Sequence, residues 1–122
     1  MSDFVIAVVD DLFFASKIRG AGEQVGVRII FAKTILDVIK SATDDRPALI
    51  IADMNSQRCD PLELAARLKK DKAFCSIPLL GFFSHVQTEL QQAARAAGFD
   101  QVVPRSAFAK NLPEILAKGQ MK

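Results

Sequence analysis

Residues 47–60, PALIIADMNSQRCD, contain the strand that decides the fold. The apolar run at residues 48–52 has the length of one β-strand and is too short for a buried helix. It stops at Asp53, and the polar residues that follow show neither a helical nor a strand period. A strand that is buried on both faces and delivers a carboxylate to its end is typical of an open parallel sheet, at the edge where ligands bind.

A second apolar run, at residues 4–9, ends in the same manner. The acidic pair Asp10 and Asp11 follows it directly. Ligands of doubly wound sheets bind outside the carboxyl ends of the strands. These two strand ends, with their three carboxylates, are therefore the centre of the functional interpretation.

Length and hydropathy indicate the class of protein. The 122 residues fit a single domain, 1–122, and half of them are apolar, which is enough to build a core. No run of about 18 apolar residues occurs, so no membrane span is expected. The first residues lack the basic, apolar and cleavage regions of a signal peptide. We therefore expect a cytoplasmic domain that does not act at a membrane.

Charge and aromatic content argue against nucleic acid as a partner. The formal net charge is only +2, and Lys and Arg form no cluster. Trp and Tyr are absent, so platforms on which bases would stack are not expected. Cys59 and Cys75 are spaced unlike a metal or redox motif and are expected to be free thiols.

Apolar strands alternate with helical patterns from one end of the chain to the other. Five strands and five helices in alternation predict right-handed crossovers and an α/β fold with a doubly wound parallel sheet. The predicted strands are residues 4–9, 27–32, 48–52, 79–83 and 101–103, and the predicted helices are residues 12–25, a helix capped by Thr34, a helix that begins at Pro61, residues 87–97, and a last helix that ends at Lys118.

The first helix follows the acidic pair and carries several apolar residues. Leu12, Ile18 and Ala21 are expected to face the core. Of Phe13 and Phe14, one is expected in the core and the other at the surface. An exposed Phe beside the acidic residues would alternatively mark a docking patch.

The last helix contains a proline. Pro113 removes a backbone donor and crowds the preceding turn, so a long continuous helix is not expected there. A short helix capped by Asn111, with Pro113 in its first turn, is expected instead.

With these features the sequence resembles, over nearly its whole length, a receiver domain of the bacterial response-regulator family. The resemblance rests on the acidic pair after the first strand, the acid after the third, the segment downstream of it, and a hydroxyl residue after the fourth. These residues are Asp10 and Asp11, Asp53, Asp60 with Leu62 and Glu63, and Ser84. The resemblance implies a five-stranded sheet in the order 2-1-3-4-5, which would place Asp10 and Asp11 next to Asp53.

The resemblance also implies a Mg²⁺ site and a phosphoacceptor. Asp11 and Asp53 would bind the metal directly, Asp10 through water, and Asn55 through its main-chain carbonyl. Crowded carboxylates take up protons or a cation, and oxygen ligands with room for several waters suit Mg²⁺. Asp53 would accept the phosphoryl group as the nucleophile. Ser84 would donate a hydrogen bond to the acyl phosphate.

The end of the fifth strand departs from the family pattern. Where the family has Lys-Pro with a cis bond, this chain has Arg105 and Ser106. Arginine keeps the positive charge but reaches further and presents a planar fork. A trans bond before Ser106 is expected, because a cis bond before a non-proline residue costs about 2.5–4 kcal/mol. Val102 takes the place of the family's switching aromatic, and His85 follows Ser84 where the family has a very small residue.

The function implied by the resemblance is that of a stand-alone signalling domain, not of an enzyme. A sensor histidine kinase, a phosphotransfer protein or a small phosphodonor would supply the phosphoryl group. Phosphorylation would then change the affinity for a protein target. The target would dock on the face of the fourth helix, the fifth strand and the last helix. In this chain that face would include Gln91, Arg95, Arg105 and Phe108.

Three alternatives remain open at the level of sequence. A pseudo-receiver would keep the fold and the acids and act as a phosphorylation-independent interaction module. A phosphatase with an Asp nucleophile would need a second Asp two residues after the first, which the sequence Asp10-Asp11-Leu12 lacks. A flavin-binding domain would need a phosphate loop rich in Ser and Thr after the first strand, and this is absent too.

Overall fold

The computed structural model of the chain describes residues 4–84 and 88–118. These residues form one five-stranded parallel sheet with helices packed on both of its faces. The strands are β1 (Phe4–Val8), β2 (Arg28–Phe31), β3 (Leu49–Asp53), β4 (Leu79–Phe83) and β5 (Gln101–Pro104). The helices are α1 (Leu12–Val25), α2 (Ile35–Asp44), α3 (Pro61–Lys70), α4 (Thr88–Ala97), α5 (Arg105–Lys110) and α6 (Leu112–Lys118).

The strands lie in the order β2-β1-β3-β4-β5, which confirms the predicted topology. In the parallel register, Val8 of β1 pairs with Ala52 of β3, and Asp53 pairs with Phe82 of β4. The carboxyl ends of β1, β3 and β4 therefore lie side by side. This register delivers the acids that follow β1 and end β3 to one edge of the sheet.

The apolar runs form strands because both faces of the sheet are covered. Every residue of β1 and β4 is buried, and two hydrophobic clusters lie on opposite faces of the sheet. The edge strand β2 is only partly buried and begins with the exposed Arg28. Continuous apolar runs in the centre and a mixed strand at the edge are the pattern expected of a doubly wound sheet.

Side-chain caps begin three of the helices. Asp11, Thr34 and Asp60 each accept a backbone N–H from the first turn of the helix that follows. Thr34 and Pro61 occupy the cap and first-turn positions that the sequence predicts.

No helix among residues 4–84 and 88–118 is long and apolar enough to cross a membrane.

The buried face of α1 differs from the prediction at its first residue. Phe14, Ile18 and Gly22 are buried at a spacing of four, whereas Leu12 is 86% exposed. At about 100° per residue, Leu12 lies roughly 200° around the helix from Phe14, so the two cannot both face the sheet. The expectation that Leu12 faces inward was wrong, and the expectations for Ile18 and for one buried Phe are confirmed.

The end of the chain contains a helix that the sequence did not predict. A short helix, α5, follows β5 at once, and α6 begins after Asn111. The predicted interruption before Pro113 is confirmed, because α5 ends at Lys110 and α6 begins at Leu112. Nδ2 of Asn111, the residue between them, donates to the carbonyl of Ala107 in α5. Within the described ranges there are thus six helices instead of five. The bond before Ser106 is trans, as expected.

Candidate functional site

Three carboxylates meet at the carboxyl edge of the sheet, and we call Asp10, Asp11 and Asp53 the acidic site. Asp10 and Asp11 follow β1, and Asp53 is the last residue of β3. Asp53 is near enough to feel the charges of Asp10 and Asp11, each of which raises its pKa. The strand register and these charge effects therefore put the three acids at the same edge of the sheet.

Asp53 is partly buried, whereas Asp11 is exposed. Burial is the main cause that raises the pKa of its carboxyl above the ordinary 3.8. The N–H of Asn55, which donates to Oδ1 at 2.9 Å, and the positive charge of Arg105 act in the opposite direction. A half-buried carboxylate with one oxygen held by a backbone donor is suited to present its other oxygen to an incoming group.

Asp11 caps α1 and also forms an ion pair. Its Oδ1 accepts the N–H groups of Phe13 at 2.9 Å and Phe14 at 3.3 Å, and Nη2 of Arg105 donates to Oδ2 at 2.9 Å. The hydrogen bond from Arg105 is the largest cause that lowers the pKa of Asp11. The carboxylate is thus held as an anion by its own helix and by a cation from the far end of the chain.

Asp10 organises the loop between β3 and α3. Its Oδ1 accepts the hydroxyl of Ser56 at 3.0 Å, and its Oδ2 accepts the N–H of Gln57 at 2.9 Å. Ser56 Oγ in turn accepts the N–H of Cys59 at 3.3 Å. Both carboxylate oxygens of Asp10 therefore accept hydrogen bonds that stabilise the conformation of this loop.

Arg105, the first residue of α5, lies over an aromatic platform. Its guanidinium carbon is 4.3 Å from the ring centroid of Phe14. Phe14 in turn packs against Phe82, with centroids 5.1 Å apart, and against Phe108 at 5.8 Å. A stacked guanidinium that also pairs with a carboxylate is held in one orientation, which a lysine ammonium would not match.

Ser84 lies directly after β4, at the rim of the site. Its backbone N–H donates to Oδ1 of Asn55 at 3.0 Å, so the Asn55 side chain ties the β3–α3 loop to the end of β4. Ser84 and Arg105 also line a cleft of about 500 Å³. Among the described residues, the lining consists of Phe13, Phe14, Lys17, Ser84, Pro104, Arg105, Ser106 and Ala109. His85, which the sequence placed beside Ser84, lies outside the described residues.

The donor set of the acidic site has the chemistry that Mg²⁺ requires, because carboxylates and a main-chain carbonyl are oxygen ligands. In the folded chain, however, the carboxylates of Asp10 and Asp11 already accept hydrogen bonds from protein groups. No group of three or more His, Cys, Asp or Glu residues that could hold a metal ion occurs among residues 4–84 and 88–118. A divalent ion would therefore have to compete with these internal partners.

The expected docking face is corrected at one residue. Phe108 is fully buried, because its ring stacks on Phe82 at 4.6 Å and forms part of the core. Arg95 is exposed and Gln91 is partly buried on α4, and Arg105 is partly buried. The face therefore presents polar groups and the arginines, without the aromatic ring.

Some residues of the site were not found by sequence reasoning. Ser56 and Gln57 hold Asp10, and Phe14 supports Arg105. The interval of four between Phe14 and Ile18 was an available signal for the buried ring. The contact of Gln57 uses its backbone, so no side-chain pattern would have shown it.

Comparison of the sequence alone yields no relative: no protein-family model matches it, and neither does any curated protein. The structure, by contrast, is similar to solved response regulators. One from Hahella chejuensis has a TM-score of 0.85 at 18% identity, over 99% of this chain and 100% of that one. The Mn²⁺-bound form of the response regulator Rcp1 has a TM-score of 0.80 at 15% identity, over 96% of this chain and 94% of that one.

A third similar structure is that of the phosphorylated cyanobacterial phytochrome response regulator RcpA. Its TM-score is 0.79 at 18% identity, over 96% of this chain and 90% of that one. These likenesses and the strand order show that the chain has the fold of a response-regulator receiver domain.

Proposed function

We propose that this chain is a receiver-type signalling domain in which Asp53 accepts a phosphoryl group. The observation that carries the proposal is the position of Asp53: it ends the central strand β3, half-buried beside two further acids, in a receiver fold. The donor would be a phosphohistidine of a sensor kinase or phosphotransfer protein, or a small acyl phosphate. The phosphorylated RcpA among the similar structures supports this chemistry.

The reaction is a phosphoryl transfer to a carboxylate. The Asp53 oxygen that is not held by Asn55 attacks phosphorus, an acyl P–O bond forms, and the bond from phosphorus to the donor breaks with its electron pair. The donor leaves as imidazole or as a carboxylate. Arg105 adds positive charge near the new phosphoryl oxygens, and Ser84 at the rim would donate a hydrogen bond to them.

The cofactor of this transfer would be Mg²⁺, held by Asp10, Asp11, Asp53 and the main-chain carbonyl of Asn55. When bound, the ion would offset the charge that gathers on the transferring phosphoryl oxygens. The Mn²⁺-bound form of Rcp1 supports divalent-ion binding at such a fold. The oxygen chemistry of the donor set supports it in this chain.

The test is phosphoryl uptake from acetyl phosphate in MgCl₂, followed by intact mass. We expect the wild type to gain one phosphoryl group and Asp53→Asn to gain none. Asp44→Asn, which removes an exposed acid at the end of α2, is the matched control and should behave as the wild type. Uptake that persists in Asp53→Asn, or its absence from a folded wild type, would overturn the proposal.

A second candidate is a phosphorylation-independent interaction module with a receiver fold. It is favoured by the internal partners of Asp10 and Asp11, which satisfy these acids without a metal ion. The same assay separates the two candidates, because a pseudo-receiver would remain unmodified at every donor concentration while keeping its far-ultraviolet circular dichroism spectrum.

Signal output would occur through a protein target. The face formed by α4, β5 and α5 is where we place that contact, with Gln91, Arg95 and Arg105 as its polar groups. Arg105 belongs both to this face and to the acidic site, so a change at Asp53 has a direct route to the surface.

A further inference from the structure

Arg105 is the most unusual feature of the acidic site. Its Nη2 lies 2.9 Å from Oδ2 of Asp11, and its guanidinium lies on the ring of Phe14. Phe14 is only 4% exposed and packs on two further rings, so the platform beneath the guanidinium is rigid. Pro104 precedes Arg105 with φ −64° and sets the direction of the chain at this point.

This ion pair links two elements that are distant in sequence. Asp11 caps α1, and Arg105 begins α5, 94 positions further along the chain. The contact therefore joins the start of α1 to the start of α5 at the acidic site. The two side chains are 45% and 36% exposed, so solutes reach the pair from solvent.

Because of the charges at the site, Arg105 competes with any other cation for Asp11. The three acids carry up to three negative charges, and Arg105 supplies one positive charge that is always present. An oxygen of Asp11 that accepts a hydrogen bond from the guanidinium loses much of its capacity to ligate a metal ion. Removing the guanidinium would leave a more negative site with Asp11 available.

We propose that Arg105 is an internal counter-ion that competes with divalent cations for Asp11, so that Mg²⁺ binding requires the Asp11–Arg105 pair to open. The inference rests on the proposed function in one respect, namely that a divalent ion uses the acidic site. Opening of the pair would free the guanidinium of Arg105, the first residue of α5, from Asp11. Cation binding would in this way be coupled to the face formed by α4, β5 and α5.

The first test measures Mg²⁺ binding by calorimetry at constant ionic strength. We expect Arg105→Gln to bind Mg²⁺ about tenfold more tightly than the wild type, since a unit charge a few ångströms from the ion is removed in a partly exposed site. Arg105→Lys should fall between them, because lysine keeps the charge without the planar fork. Arg67→Gln, an exposed arginine of α3, removes the same net charge elsewhere and should leave the affinity within twofold.

The second test follows the guanidinium itself. The Nε–H signal of Arg105 in the nuclear magnetic resonance spectrum should be shifted by the Phe14 ring and should move away from this position as MgCl₂ is added. The midpoint should coincide with that of the calorimetry. An unmoved Arg105 signal at saturating Mg²⁺, or equal affinities for wild type and Arg105→Gln with both folded, overturns the competition. Absence of Mg²⁺ binding in all variants overturns it too.

These outcomes are separable from those of the phosphoryl assay. Tighter Mg²⁺ binding by Arg105→Gln without phosphoryl uptake by the wild type supports the competition and removes the phosphoacceptor function. Phosphoryl uptake on Asp53, together with equal Mg²⁺ affinities of the wild type and Arg105→Gln, supports the phosphoacceptor function and overturns the competition.

Discussion

Asp11 and Asp53 lie at the same edge of the sheet, yet their surroundings move their pKa values in opposite directions. The hydrogen bond from Arg105 lowers the pKa of Asp11, whereas burial raises that of Asp53. Of the two, Asp11 is stabilised as an anion by the native state, and Asp53 is not. At the scale of single residues, the fold therefore disfavours the charged form of Asp53, the proposed nucleophile.

The stability of Asp53→Asn tests this difference in buffer with chelator. Because the native state raises the pKa of Asp53 above 3.8, it binds this proton more tightly than the unfolded chain does. The contribution of Asp53 to the free energy of unfolding therefore falls as the pH rises through the window between these two pKa values. We expect Asp53→Asn to be at least as stable as the wild type at pH 7, and the difference to shrink below pH about 4. Urea melts at several pH values measure it.

This assignment would be contradicted if Asp53→Asn had a lower free energy of unfolding than the wild type at pH 7 and if the difference were the same at every pH. Asp44→Asn again serves as the control, because Asp44 is exposed and is the last residue of α2.

At the scale of elements, α1 determines how the acidic site is closed. The helix presents Asp11 at its start, buries Phe14 beneath Arg105, and approaches β2 closely at Gly22. A Cβ on Gly22 would lie 2.7 Å from Cγ1 of Ile29 and 2.8 Å from the carbonyl oxygen of Val27. Gly22 is therefore required by close approach, whereas Gly20 is exposed with nothing within 4 Å of its Cβ position.

Substitution of these two glycines by alanine should have opposite effects. Gly20→Ala should raise the free energy of unfolding by about 0.5–1 kcal/mol, because alanine is the better helix former and meets no neighbour. Gly22→Ala should lower it by about 1–3 kcal/mol through overpacking against a backbone oxygen. Urea unfolding followed by circular dichroism compares them, and a shift of both in the same direction would refute the packing described for α1.

At the scale of the whole molecule, a single sheet separates two hydrophobic clusters, and both clusters contain residues from β1, β3 and β4. Neither face can lose its helices without exposing the shared strands. We therefore expect the described residues to unfold as one cooperative unit. The two cysteines offer a probe of this, since Cys59 is buried and Cys75 is exposed.

Thiol reactivity should follow global unfolding at Cys59 and not at Cys75. Burial raises the pKa of Cys59 to about 11, so at neutral pH it is a buried thiol with almost no reactive thiolate. In Cys75→Ser, reaction with a disulfide reagent should be slow until urea unfolds the chain, and should then coincide with the loss of helical signal. The urea dependence should be about 1–3 kcal/mol per molar. Reaction of Cys59 well below the helical transition would indicate that β3 and α3 open separately.

The sequence by itself determined the five strands, the helices other than α5, and their order. Apolar runs at residues 4–9, 48–52 and 79–83 marked the central strands, and Thr34, Pro61 and Asn111 marked the helix starts. These features are predictable because burial on two faces and capping act over a few neighbouring residues. The acids at the strand ends were likewise visible, and the resemblance to receivers supplied the strand order that joins them.

Only the tertiary structure decided which partners these acids have. Asp11 meets Arg105 across 94 positions, and Asp10 meets the backbone of Gln57 across 47. The burial of Phe108 and the exposure of Leu12 were decided there too. Such contacts depend on where strand ends and helix starts come together in space and on which rotamers then fit. Neither is encoded in the local period of the sequence, because hydrophobic periodicity specifies the face of an element and not the atom it will touch.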